Sequence, residues 1–522
     1  MYDISRIPGT YEVISSEYVQ EVSSDALVLR HRKTGAQVAL LLNDDDNKVF
    51  SIGFRTPPAD STGVAHIMEH SVLCGSEHFP AKDPFKELMK GSLNTFLNAM
   101  TYPDKTVYPV ANCNDADFQN LMHVYLDAVF HPNIYTHDEI FRQEGWHYDM
   151  EDADAPLVIN GVVYNEMKGA FSSPDDLLVR RLSDTLYPDT IYSVESGGDP
   201  DVIPELTYEK FLDFHRTYYH PSNCYIYLYG NMDAEEKLNF IDREYLSHYD
   251  EIKVPSEIPL QQPFTEPVCR TAAYPVGDEK DAENAAYMAV SWVLDGMQDL
   301  TRTIAFQILE YVLMEAPGAP LKQTLLDHGC GEDIYGMLET SMRQPYLSII
   351  IKNMDPSRES EIRTIISDTL KEIVGEGLNR RTLEGVLSSF EFKSKESDFG
   401  QWPKGLMYGL QMMDTWLYDE SAAFTLLKYQ AAYDDLRTKL DTGYFEELIE
   451  KCMLNNTHAS VLMLLPEPGL AMKNEAQLAN RLAAIKTSMT EEEAARVIEG
   501  THQLRRYQSE PTPQKILEMI RC

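Results

Sequence analysis

The chain has 522 residues, more than the roughly 250–300 that a single core can serve, so at least two domains are expected. Acidic residues outnumber basic ones by 83 to 45, and a formal net charge of −38 argues against a nucleic-acid binder, which needs a basic surface. Apolar residues make up 43 % of the chain, yet no run approaches the ~20 needed to cross a bilayer, and the opening residues have neither signal- nor transit-peptide character, so a cytosolic protein is the expectation.

Along the chain, the apolar runs Gln37–Leu42 and Val49–Phe54 flank the turn residues Asn43–Asn47 and read as a hairpin. A short helix is predicted next over His66-Ile67-Met68-Glu69-His70, with Asp60-Ser61-Thr62 offering an N-cap and Gly75 a stop. Phe118, Leu121, Met122, Tyr125, Leu126 and Val129 repeat at helical spacing, with Asn114 or Asp115 as cap and His131-Pro132 as terminator. Cys224–Tyr229 reads as a strand. Prolines at 255, 259, 263 and 267 mark an extended linker, and beyond Ala471 the pattern becomes charged helix with the capping box Thr490-x-x-Glu493. Strands and helices mix without a βαβ rhythm, which makes the fold class α+β.

A weak internal repeat runs through this pattern. Tyr225–Asp233 and Leu347–Asp355 each read as a strand followed by Asn-Met-Asp and a helix. Upstream, Ala65–Leu73 aligns with Phe306–Met314, so that His66 meets Gln307 and His70 meets Tyr311. One copy carries two imidazoles and its twin carries none. The seven cysteines are scattered, odd in number and without a Cys-x-x-Cys pair, which reads as reduced thiols rather than a disulfide framework or a cysteine metal site.

The imidazoles are the chemically informative residues. His66 and His70, four apart on a helix, project from one face and can share a metal ion, and neutral imidazole suits zinc. Glu69 sits on nearly the same face, where a carboxylate can take a proton from a water at the metal. This is the inverted His-x-x-Glu-His order. Taken alone, the motif favours zinc over a pair of ordinary surface or core histidines, and a catalytic zinc usually has a third protein ligand.

The segment from His66 to about Asp233 resembles the pitrilysin/insulinase family of inverted zinc proteases, its presequence-protease branch in particular. The pieces that carry the likeness are His66–Ser76, Lys82-Asp83-Pro84-Phe85, Asn98-Ala99, Gln143–Tyr148, Val163–Gly169, Asp199-Pro200 and Tyr218–Asn223. The resemblance implies Zn²⁺ held by His66, His70 and Glu166, with Glu69 as general base. It implies that Asn98 and Ala99, in an edge strand Thr95–Thr101, pair with substrate backbone, and that Leu73, Phe85 and Met89 line an apolar pocket. Ile159 stands where many relatives keep a supporting carboxylate, so no residue is assigned that role.

The resemblance further implies two related insulinase-type domains of antiparallel sheet packed with helices. The first is a catalytic domain at 1–250, joined by a Pro-rich linker at 251–272 to an inactive homologue at 273–465, with the start of a helical hinge at 466–522. Single-chain relatives are about twice this length, so a C-terminal half or partner subunit is expected. The expected function is zinc-dependent cleavage of unstructured peptides, and the acidic charge reads either as solubility or as attraction for basic ones. The competing reading is a non-catalytic peptide-binding or structural subunit.

Overall fold

A computed structural model describes residues 2–296 and 298–520. The first unit opens with four strands, β1 (Tyr11–Val19), β2 (Ser24–His31), β3 (Gln37–Leu42) and β4 (Lys48–Arg55). It continues through α1 (Val64–Val72), α2 (Pro84–Gly91), β5 (Asn94–Leu97), β6 (Met100–Thr101), β7 (Lys105–Asn112), α3 (Asp115–Phe130) and α4 (Asp138–Glu144). A ribbon of β8 (His147–Asp149) and β9 (Val158–Asn160) leads to α5 (Val162–Ala170), α6 (Pro174–Leu186), α7 (Tyr208–Tyr218), β10 (Cys224–Gly230) and α8 (Ala234–Glu244). The sheet order is β1-β2-β3-β10-β4-β7-β5, with β6 also on β7.

Two local expectations change here. Strands β3 and β4 do not form a hairpin, because β10 lies between them, parallel to β3 and antiparallel to β4. Every residue of β10 is buried. A strand covered on both faces is satisfied only in the middle of a sheet, with a neighbour at each edge. The turn Asn43–Asn47 spans the gap instead, and Asp45 O accepts the Asn231 N–H at 2.8 Å. Helix α1 is capped by Gly63 rather than by the Asp60–Thr62 side chains. Gly63 has φ +69°, and a Cβ there would stand 2.7 Å from Gly197 O, so only glycine allows this approach. Asp60 instead takes the Thr62 N–H at 3.0 Å. The helix ends at Val72, and Gly75, at φ +105°, turns the chain shortly after.

The second unit comprises β11 (Val268–Val276), β12 (Ala286–Val293), α9 (Leu300–Met314), α10 (Pro320–Asp327), β13 (Asp333–Glu339) and β14 (Tyr346–Met354). Then come α11 (Glu359–Glu376), α12 (Arg380–Glu396), α13 (Lys404–Trp416), α14 (Tyr429–Lys439), α15 (Tyr444–Ile449) and β15 (Ala459–Pro468). Its order, β11-β15-β12-β14-β13, repeats β3-β10-β4-β7-β5 of the first, with one parallel pair (β11 and β15) in the same place. The repeat is therefore real, but its register differs from the sequence alignment. Strand β10 corresponds to β15 and β14 to β7, so the two Asn-Met-Asp phrases are not equivalent. They look alike because each is a strand leading to an aspartate cap: Asp233 caps α8 and Asp355 caps a 3₁₀ turn before α11. Helix α9 does take the place of α1. Gln307 and Tyr311 are half-buried, as His66 and His70 are.

The proline-rich stretch is not a loose tether. Ile258 and Gln261 are buried, and Gln261 bonds Asp189 in the first unit and Gln344 in the second. Strand β11 begins at Val268, inside the span read as linker, because it completes the second sheet beside β15. Between the sheets the units exchange helices. Helix α6 lies on β11, β12 and β15, while α13 lies on β4, β7 and β10. Glycines four apart on α13 permit this packing: a Cβ at Gly405 would stand 2.1 Å from the Tyr229 ring and one at Gly409 2.5 Å from Tyr227.

Beyond β15, α16 (Leu470–Ser488), α17 (Glu491–Ser509) and α18 (Gln514–Ile520) fold back over the first unit. The Thr490–Glu493 capping box starts α17. Thr501 accepts the Met150 N–H at 3.1 Å, Lys82 donates to Glu510 O at 3.0 Å, and Asn120 donates to Ile520 O at 3.1 Å. Among the described residues no helix is long and apolar enough to cross a membrane.

Replacing Gly405 with alanine should destabilise the chain by about 1–3 kcal/mol through overpacking against Tyr229. The same change at Gly385 on α12, where a Cβ meets open space, should be neutral or slightly stabilising. Urea unfolding of the two variants checks this, and equal stabilities would refute the packing account.

Candidate metal centre

The site starts with the Gly63 contact, which fixes where α1 enters and lays its first turn against Gly197. His66 Nδ1–H donates to Gly197 O at 3.0 Å, leaving Nε2 with a free lone pair. One turn on, His70 Nδ1–H donates to the Glu144 carboxylate at 3.3 Å, and its Nε2 is likewise free. The two rings stand edge to face with centroids 5.0 Å apart. Glu166 reaches in from α5, its carboxylate 3.8 Å from His66 Nε2 and 3.9 Å from His70 Nε2.

These three donors suit zinc. Ligands about 2.1 Å from a tetrahedral ion sit roughly 3.4 Å apart, close to the separations found. Each imidazole is oriented by a bond at its other nitrogen, as metal-binding histidines usually are. The Glu166 side chain is 54 % exposed, so the cluster opens to solvent on that side. Glu69 is buried beside the histidines and accepts a hydrogen bond from Thr101 Oγ1 at 2.5 Å.

Glu144, from α4, had no role assigned from sequence. The signal available was its place inside Gln143–Tyr148, one of the segments that carry the resemblance, but no spacing rule ties it to His70. Burial alone would raise its pKa, yet hydrogen bonds from His70 and Gln143 outweigh this and hold it below the ordinary value. Burial would likewise lower His70, and the Glu144 bond together with Glu69 and Glu166 turns the shift upward. The two side chains thus stabilise each other as an ion pair whenever His70 is protonated. Gly197 and Thr101 likewise carry no local sequence signal, since both reach the site through loop and sheet placement.

The residues expected to contact substrate divide. Asn98 is exposed and Ala99 half-buried, in a break between β5 and β6 at the sheet edge. The break has a local cause. In the running register Asn98 faces Pro109 of β7, which has no N–H to donate. Asn98 N–H donates to Pro109 O at 3.4 Å, and Asn98 O takes the Tyr125 hydroxyl at 3.1 Å instead. Leu73, Phe85, Leu88 and Tyr125 line one small apolar cleft of about 10 Å³. Met89 does not join them. It is 62 % exposed, because α2 buries Leu88 and turns the next residue outward.

A duplicated α+β architecture with histidines and carboxylates clustered on one copy defines the class of insulinase-type peptidase folds. Family models match three stretches: insulinase (peptidase family M16) at 48–168, peptidase M16 inactive domain at 205–390, and a peptidase M16-associated region at 464–520. The chain belongs to the insulinase family, peptidase family M16. Protein HypA of Clostridium perfringens is 46 % identical over 516 residues, covering 99 % of this chain and 53 % of that protein. Presequence protease 1 of Arabidopsis thaliana, chloroplastic/mitochondrial, is 41 % identical over 520 residues, covering 98 % of this chain and 48 % of that one. The chain thus spans about half the length of these relatives. Among solved structures, a putative M16-like peptidase from Alicyclobacillus acidocaldarius shares the fold with TM-score 0.60 at 15 % identity, covering 88 % of this chain and all of that one. Pitrilysin shares it with TM-score 0.59 at 13 % identity, covering 88 % and 47 %.

Zinc affinity should rise with pH. A metal needs His70 neutral, and in the metal-free protein this imidazole keeps its proton above the ordinary value of 6.5. Changing Glu144 to glutamine removes the anion that favours the proton, so the profile should move to lower pH. Affinity at its plateau should fall by about 10–100-fold as the ring loses its orienting carboxylate. Competition against a chelator across about pH 5.5–8.5 reads both effects, and identical profiles for the two proteins would exclude the pairing.

Proposed function

We propose that this chain is the zinc-binding half of an endopeptidase that cleaves unstructured peptides. The observation that carries the reading is the convergence of His66, His70 and Glu166 beside buried Glu69, next to an open sheet edge. The first three residues would hold the ion. When bound, zinc supplies a Lewis acid that lowers the pKa of water and polarises the scissile carbonyl.

Glu69 is the residue placed to handle protons. The Thr101 hydroxyl occupies Oε2, which leaves Oε1 to accept a proton from the attacking water and later return it to the leaving amine. The Thr101 bond also fixes the carboxylate in one rotamer, so that little reorganisation accompanies the transfer. At the edge formed by β5 and β6, an extended peptide would add as a further strand through backbone hydrogen bonds, a mode tolerant of sequence. Asn98 and Ala99 are the contacts proposed there; the Leu73–Phe85 cleft, at about 10 Å³, would have to open to take an apolar side chain. The net charge of −38 supports a preference for basic peptides.

The exposure of Glu166 supports dependence on a second half. Amide hydrolysis gains when bulk solvent is kept from a site that retains its one attacking water, because electrostatic interactions then act in a low-dielectric surrounding, and nothing among the described residues covers this flank. A C-terminal half, in cis or as a partner subunit, would close it.

Changing Glu69 to glutamine should leave zinc bound and lower peptide turnover by about 10²–10⁴-fold. Turnover by the unaltered chain should be weak alone and increase when the second half is supplied. Zinc content and cleavage of an unstructured basic peptide, measured together, check both statements. A Glu69→Gln protein with undiminished turnover would sink the mechanism. Absence of zinc would favour the non-catalytic reading.

A further inference from the structure

A second group of metal-ligating side chains lies just beyond α1. His123 and Asp127 lie four apart on α3, His131 follows as its C-cap, and His78 meets them from the loop between α1 and α2. Asp127 Oδ1 accepts from His78 Nδ1 at 2.8 Å and from His131 Nδ1 at 3.2 Å. One ligand atom from each of His78, Asp127 and His131 lies within 4.8 Å of the other two. We propose that these three residues form a second metal site, structural rather than hydrolytic, that takes zinc or a similar imidazole-favouring divalent cation and fastens the α1–α2 connection to the end of α3.

Four observations support this. First, the donor set is two neutral imidazoles and one carboxylate, the combination that borderline divalent cations prefer. Second, the carboxylate is anchored: the Asp127 side chain is fully buried, and its second oxygen takes the His78 backbone N–H at 2.8 Å.

Third, the loop is held in place by backbone bonds. Glu77 N–H donates to His131 O at 3.0 Å, Asn133 N–H donates to Gly75 O at 2.9 Å, and Ser76 bridges to Pro132. Residues 49 apart in sequence are therefore positioned before any ion arrives. Fourth, access and orientation suit an ion. His78 is 56 % and His131 27 % exposed, which leaves a path from solvent. With Nδ1 on a metal, the His131 proton resides on Nε2, which already faces the Tyr249 hydroxyl at 3.4 Å. The His123 ring lies 5.6 Å from the His78 ring, tilted by 45° to it, and borders the group.

Metal counting tests the proposal apart from peptidase activity. The His66→Ala/His70→Ala variant, loaded with zinc and desalted, should retain one zinc per chain, and the unaltered protein two. Adding His78→Gln, a change at a half-exposed residue, should remove the remaining ion. Zinc should also raise the melting temperature of the His66→Ala/His70→Ala protein and lose that effect with His78→Gln. Circular dichroism of each variant reports that it is folded. A folded His66→Ala/His70→Ala protein with no zinc and no thermal shift overturns the proposal. So does retention of the second zinc after His78→Gln, which would place it elsewhere.

Discussion

The structure depends on a mutual need for cover. Each unit is built on one large sheet with helices of its own on one face, and the other face would leave a broad apolar surface in water. The units resolve this by exchange, α6 covering the second sheet and α13 the first. The shared cluster runs from Leu178, Leu182 and Leu186 to Leu406, Met412 and Trp416. At about 25 cal/mol per Å² of apolar surface, separating the units would be far more costly than any single side-chain bond at the metal site. The tyrosines of β10 fit against α13 only because Gly405 and Gly409 present bare backbone, and Tyr227 donates its hydroxyl to Gly405 O at 2.9 Å.

That rigidity reaches the candidate site through short steps. The Gly63–Gly197 contact places α1, α1 presents both imidazoles on one face, and Glu144 and Gly197 hold the two rings by their outer nitrogens. The β5–β6 edge brings Thr101 onto Glu69. The back of the same region carries the returning helices, where Tyr507 of α17 stacks under Lys82 with the ammonium 4.4 Å from the ring centre. Site, edge and tail therefore share one scaffold, and a change in how α17 sits would be felt at α4, which carries Glu144, and at the loop that follows α1.

The second unit shows what duplication keeps and what it lets go. Helix α9 retains the α1 pattern of burial, and Glu310 occupies the place of Glu69. With Gln307 and Tyr311 where imidazoles stand in the first copy, the metal donors are gone. Glu310 is pushed up to about 7, mainly by burial. A carboxylate in such surroundings is costly to ionise unless a cation or donor is near.

Sequence alone determined the α+β class, the helix carrying His66, Glu69 and His70, and the α17 capping box; it narrowed the α3 cap to two residues and, through likeness of segments, pointed to Glu166, whose carboxylate lies 3.8 and 3.9 Å from the two imidazoles. These are local: helical periodicity, capping chemistry and residue type act over a few positions, and neighbours in sequence are neighbours in space. Tertiary structure alone decided the rest. It set β10 between β3 and β4, matched β10 with β15 in the repeat, turned Met89 away from the cleft and brought Glu144 to His70. It also broke the sheet edge at Asn98 because Pro109, from the next long strand, lies opposite. Each is a long-range pairing, set by which apolar surfaces must be covered and which polar groups must find partners, and no short pattern in the chain encodes that outcome.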